Sequence, residues 1–224
     1  MKLPIVSYAH LEIFAFTIIT IALSIALAFL YYPLVIIPVL LFIFMLYFFR
    51  DPARNVPEDN NLILSPADGR IIDITDVYEN IFLQCEAVKI AIFLSVWNVH
   101  INRAPCGGQV ALISYQPGKF LVASNPQASE VNESNAIGII NHQAAGLRVL
   151  VRQIAGIIAQ RIVCACRLND SLRSGQKIGM IKFGSRTEIF IPKSRVAEIT
   201  VKLKDKVKAG ESILANLVSE GAGG

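Results

Sequence analysis

Charge is scarce in this chain. Asp, Glu, Lys and Arg make up 17% of its 224 residues, against about 25% in an average soluble domain. The scarcity is local. Of the 21 Lys and Arg and the 17 Asp and Glu, only Lys2 and Glu12 precede Arg50. Residues 13–49 contain no charged residue and no histidine. Hydrophobic residues reach 54% and the mean hydropathy is +0.52, which excludes a disordered chain, a coiled coil and a wholly soluble protein. Basic runs are missing too. With a net charge of +4 and no aromatic RNA-binding pattern, no nucleic-acid partner is expected, and an anionic lipid surface suits the chain better. Cysteine is sparse, at Cys85, Cys106, Cys164 and Cys166. No second ligand pair accompanies Cys164-Ala-Cys166, so no metal is expected and the thiols read as structural. A cytoplasmic domain would keep them reduced.

The charge-free run divides at Pro33, because proline disfavours helix at and before itself. Two helical spans, 13–31 and 34–49, fit better than one, and they form a hairpin with aromatic pairs at its ends. The second is short and contains Pro38, so it is expected to tilt or to insert incompletely. Lys2, Arg50 and Arg54 flank the hairpin, which puts both ends on the cytoplasmic side of the cell membrane. Residues 1–49 therefore read as an anchor, 50–61 as a Pro-containing linker, and 62–224 as one globular domain.

In that domain, short Val- and Ile-rich runs alternate with turn signals. Strands are expected at 70–75, 88–95, 109–114, 136–141, 147–153, 161–166, 176–183, 187–191 and 197–203. Helix patterns are weak, 153–160 being the best candidate. The fold class is mainly β, or α+β with few helices. Residues 201–215 and the Ser65-Pro-Ala-Asp-Gly segment both resemble lipoyl- and biotinyl-type hammerhead folds, so a hammerhead-like portion is expected.

Four segments could carry chemistry. Asp68 in Ser65-Pro-Ala-Asp-Gly reads either as an Asx-turn residue or as a functional carboxylate. His100, at the end of the apolar 91–96 run, is the histidine best placed to act as a base; His10 precedes the first span and His142 lies in a polar loop. Ser129-Glu-Val-Asn-Glu reads as a polar loop. Gly184-Ser185 reads as a hairpin turn, or as a strained peptide whose serine hydroxyl attacks the preceding carbonyl with help from a base.

Taken together, Phe48-Phe-Arg-Asp-Pro, Ser65-Pro-Ala-Asp-Gly, Val99-His-Ile-Asn-Arg-Ala-Pro, Tyr115-Gln-Pro-Gly-Lys-Phe, Ser129-Glu-Val-Asn-Glu, Gln153-Ile-Ala-Gly, Arg161-Ile-Val and Gly179-Met-Ile-Lys-Phe-Gly-Ser-Arg resemble the phosphatidylserine decarboxylase family in its short, membrane-anchored form. The resemblance implies a proenzyme that breaks its own Gly184–Ser185 bond without hydrolysis. Ser185 would become a pyruvoyl group, the one cofactor, with Asp68 and His100 completing the processing triad. The β chain would be Met1–Gly184 and the α chain Ser185–Gly224, held as a heterodimer. Phosphatidylserine in the membrane would form a Schiff base with that group and leave as phosphatidylethanolamine and carbon dioxide. His100 would donate the closing proton, and Lys119 or Arg161 would bind the lipid phosphate. A serine lipid of archaeal type would meet the same chemistry, and assembly into a higher oligomer stays open.

The main rival is a membrane-tethered carrier domain. Glu86-Ala-Val-Lys-Ile resembles a biotin-carrier signature, with Lys89 as the attachment point. Against it, Lys89 runs straight into Ile90-Ala-Ile-Phe-Leu, as in a buried strand and unlike a hairpin tip.

Overall fold

The structure is a computed structural model that describes residues 9–119, 121, 131–156, 162–182 and 185–218. It is β-rich, as the turn-bounded apolar runs require, with 44% strand and 24% helix. The chain divides into two units, residues 1–53 and 54–224.

The first unit holds helix α1 (His10–Leu30) and helix α2 (Ile36–Phe48), joined by a 3-10 turn at Tyr32–Val35. Tyr31 is extended and ends α1, and Pro33 follows in the first positions of the 3-10 turn. The 21 residues of α1 span about 32 Å, close to the thickness of a bilayer core. No residue of α1 is buried, and Phe14, Ile18 and Phe29 are exposed. This helix is long and apolar enough to cross a membrane. The 13 residues of α2 reach only about 20 Å. Pro38 sits in the first turn of α2, where its missing N–H costs no hydrogen bond.

The second unit is built on an eight-stranded antiparallel sheet. Its strands are β2 (Gly69–Glu79), β3 (Cys85–Leu94), β5 (Gly108–Gln116), β6 (Ser134–Asn141), β7 (Leu147–Ala155), β9 (Ser171–Leu172), β11 (Ser185–Pro192) and β13 (Lys206–Val207), in the order β13-β2-β3-β11-β7-β6-β5-β9. Two three-stranded sheets complete the unit. One joins β1 (Leu62–Leu64), β14 (Ile213–Leu217) and β12 (Val196–Ile199); the other joins β4 (Ile101–Arg103), β10 (Lys177–Ile181) and β8 (Ile162–Cys164). An observed strand overlaps each of the nine expected ones, but β8 is only Ile162–Cys164 and β12 ends at Ile199, short of the expected 161–166 and 197–203. The helix expected at 153–160 is not supported at its start: Gln153–Ala155 continue β7, and residues 157–160 lie outside the described residues.

Strand β11 is central, paired with β3 on one side and β7 on the other, and all eight of its residues are buried. Side chains alternate along a strand, so its two faces enter two cores. Ile189 and Ile191 join Ile90, Ile92, Ile137, Ile139, Val149 and Val151. Phe190 joins Phe82, Leu83, Ala87 and Leu150 on the other face. That second face also holds Glu188, fully buried, which accepts hydrogen bonds from Arg152 and lies 2.8 Å from Arg186.

Replacing Ile189 by Ala is expected to lower stability by about 2–5 kcal/mol through the cavity it leaves. Leu203→Ala, at an exposed position, should stay within about 0.5 kcal/mol. Urea unfolding of the full chain in detergent checks both.

Candidate active site

Ser185 opens β11. Its backbone pairs with Leu94 of β3 and Ala155 of β7, and the residue is fully buried. Its hydroxyl has no hydrogen-bond partner among the described residues. Leaving a buried hydroxyl unpaired costs about 1–3 kcal/mol, so the position carries a standing penalty. Gly184, the other half of the expected cleavage site, lies outside the described residues.

His100 precedes β4 and is also fully buried. Its carbonyl accepts the Ile181 N–H at 3.2 Å, which ties it to the end of β10, four positions before Ser185. Its Nδ1 stands 3.0 Å from the Asn98 carbonyl. A carbonyl can only accept, so Nδ1 carries the proton of this contact. Asn98 is itself held by the Ser95 N–H and hydroxyl, which both donate to its Oδ1.

Asp68 is buried, and its carboxylate is taken up elsewhere. Arg54 donates to both of its oxygens at 2.9 and 3.0 Å, and the Ala209 N–H donates at 2.8 Å. The structure therefore brings Asp68 to Arg54. The His100 Nδ1, the atom a triad carboxylate would hold, goes to Asn98. The Asp68 loop is still joined to the His100 strand, because the Pro66 carbonyl accepts from the Arg103 N–H and from the Asn102 side chain.

A chain of buried amides runs beneath these groups. Asn135 donates to Gln153 at 2.9 Å, Gln153 donates to Asn102 at 2.8 Å, and Asn102 donates to the Thr187 hydroxyl at 3.0 Å. Thr187 lies on the Ser185 face of β11. Gly179 makes room for this chain: a Cβ there would stand 2.2 Å from the Val163 carbonyl and 2.9 Å from the Gln153 amide nitrogen. Asn132 closes the other side by donating to the Ala155 carbonyl at 2.7 Å, directly beside Ser185. Lys119 is exposed and bridges to Asn132, which brings it to this end of the sheet. Arg161 and the Ser129–Glu130 pair lie outside the described residues.

Sequence reasoning missed Arg54 as a partner of Asp68, and it missed the amide chain. Asn102, Gln153 and Asn132 all fall inside the quoted motifs, which was the available signal. The carrier reading loses its footing. Lys89 lies inside β3, paired with Phe190 and Thr75, and its ammonium is 2.9 Å from Asp73.

The family model described as phosphatidylserine decarboxylase matches residues 41–215. A phosphatidylserine decarboxylase proenzyme of Carboxydothermus hydrogenoformans is 45% identical over 217 residues, 97% of this chain and 99% of the relative. One of Desulfotalea psychrophila is 46% identical over 175 residues, 78% of this chain and 80% of the relative. One of Rhodopirellula baltica is 38% identical over 214 residues, 96% and 88% of the two chains. A β-rich domain with these matches is an enzyme of the carboxy-lyase class. Within that class, the chain belongs to the phosphatidylserine decarboxylase family.

Asn102→Ala removes partners from Thr187 and Gln153 together and is expected to destabilise the domain by about 1–3 kcal/mol. Gly179→Ala should destabilise as well, by forcing β8 away from β10. Thermal unfolding of both variants against the parent checks this.

Proposed function

We propose that the chain cuts itself at Gly184–Ser185 and then decarboxylates phosphatidylserine to phosphatidylethanolamine and carbon dioxide at a membrane. The observation that carries the reading is the Ser185 hydroxyl, buried and unpartnered among the described residues. A buried polar atom kept unpaired calls for a use.

In the cut, Ser185 Oγ attacks the Gly184 carbonyl carbon and His100 Nε2 takes the hydroxyl proton. The acyl group passes from nitrogen to oxygen, and the freed nitrogen takes a proton. Elimination then releases Gly184 as a carboxylate and leaves dehydroalanine at 185. Water enters, ammonia leaves, and residue 185 ends as a pyruvoyl group. The surroundings fit such a group: the position is fully buried, flanked by Leu94 and Ala155, and spends no hydrogen bond on the hydroxyl that is lost. Once formed, the group supplies a carbonyl that withdraws electrons from the amine-bearing carbon of the substrate.

The remaining roles fall to the chain's own residues. His100 Nε2 holds the proton delivered to carbon after carbon dioxide leaves. Asp68 is the negative group of the proposed triad, and to favour the imidazolium during the cut its carboxylate has to leave Arg54 and turn to His100. Lys119 or Arg161 attracts the lipid phosphate. The two products, Met1–Gly184 and Ser185–Gly224, stay together as a heterodimer because β11 is hydrogen-bonded between β3 and β7. The helices of residues 10–48 anchor the enzyme in the cell membrane, with the catalytic domain on the cytoplasmic side.

Full-length protein in mixed micelles of detergent and phosphatidylserine is expected to release carbon dioxide. Ser185→Ala should abolish release, and His100→Ala should lower it by about 10²–10⁴-fold. No release from the parent, or undiminished release from Ser185→Ala, would contradict the reading.

A further inference from the structure

Cys164 and Cys166 stand outside the machinery described above, yet they are not ordinary structural thiols. Cys164 ends β8 and is exposed, while Cys166 is buried two residues later. Their sulfurs are 3.7 Å apart, so about 1.7 Å of approach separates them from the usual S–S bond of about 2.05 Å. Alternation turns both side chains to one side of the segment. The Cys164 sulfur also lies 3.4 Å from the Cys166 carbonyl.

We propose that Cys164 and Cys166 form a thiol–disulfide exchange site that takes a low-molecular-weight disulfide, of the glutathione type, as its co-reactant. The Cys164 thiolate attacks one sulfur of the incoming disulfide RSSR. This forms Cys164–S–S–R and releases one thiolate, RS⁻, which takes a proton. Cys166 then loses its proton and attacks the Cys164 sulfur, closing Cys164–S–S–Cys166 and releasing the second RS⁻. The two cysteines give up two electrons and two protons, and RSSR becomes two RSH.

The electrostatics divide the two roles. Hydrogen bonding from the Cys166 thiol, the largest cause, lowers the Cys164 thiol to about 6, and the Asn135 contact acts in the same direction. The same pairing and burial push Cys166 up. The exposed sulfur is thus the attacking one, and the buried sulfur resolves the mixed disulfide. Cys106 offers a contrast within the chain, since burial pushes its thiol up to about 12.

The test uses the full chain in detergent micelles at neutral pH, with oxidised glutathione as the probe, acid quenching and peptide mass spectrometry. The peptide containing residues 164–166 is expected to lose two hydrogens, reversibly with dithiothreitol. Cys166→Ser should instead accumulate a glutathionyl group on Cys164, and Cys164→Ser should leave Cys166 unmodified. Alkylation of Cys164 should reach half its maximal rate near pH 6. Two reduced thiols after incubation, a lasting glutathionyl group on Cys164 in the parent, or half-maximal alkylation near the ordinary thiol value of about 8.5 would each overturn the proposal.

Discussion

One strand is held on both edges and buried on both faces, and it starts at Ser185. Its edges are closed by β3 and β7, its faces by two separate hydrophobic clusters. No shift of register is open to it. A slip of one residue would carry Ile189 and Ile191 into the cluster of Phe190 and would turn Glu188 away from Arg152 and Arg186. The position of Ser185 is therefore fixed by the packing of seven residues that follow it. The amide chain through Asn135, Gln153 and Asn102 adds a second fixture, through Thr187 on the same face. A buried polar network of this kind specifies one arrangement because each member is costly to leave unpaired.

Much of this was legible in the order of the residues. The long strands announced themselves by Val- and Ile-rich runs between turn signals, and their observed limits run a few residues beyond the expected ones. The short strands β1, β4, β9 and β13 were not, because a run of two or three residues has no period to detect. Nor could periodicity reveal that β1 pairs with β14, since that contact joins the two ends of the domain. The helix expected after residue 153 failed where Gln153 and Ile154 complete their pairing with β6 and β11, so tertiary hydrogen bonding overrode a weak local pattern. At the site, Ser185 and His100 were legible from their motifs. The partner of Asp68 was not. Arg54 sits in a stretch that reads as linker, and an ion pair fourteen positions apart leaves no trace in local pattern.

The two units divide the demands of a lipid enzyme. Residues 10–48 present apolar side chains outward, whereas the unit from Arg54 onward places its Ile and Val inward and its charges mostly outside. Under the proposed reading, the first unit keeps the enzyme where its substrate resides, so that search takes place in two dimensions. The second excludes water from Ser185, which favours both the attack on the preceding carbonyl and the later proton transfer.

The central claim is that Ser185 is consumed to make the catalytic group, and denaturing mass spectrometry of the purified full-length protein tests it most directly. The account predicts two chains, 1–184 and 185–224, the smaller one starting with a pyruvoyl group in place of serine. Their summed mass should exceed that of the intact chain by one water less one ammonia. A single chain of 24.6 kDa, or a smaller chain that begins with an unmodified serine, would contradict it.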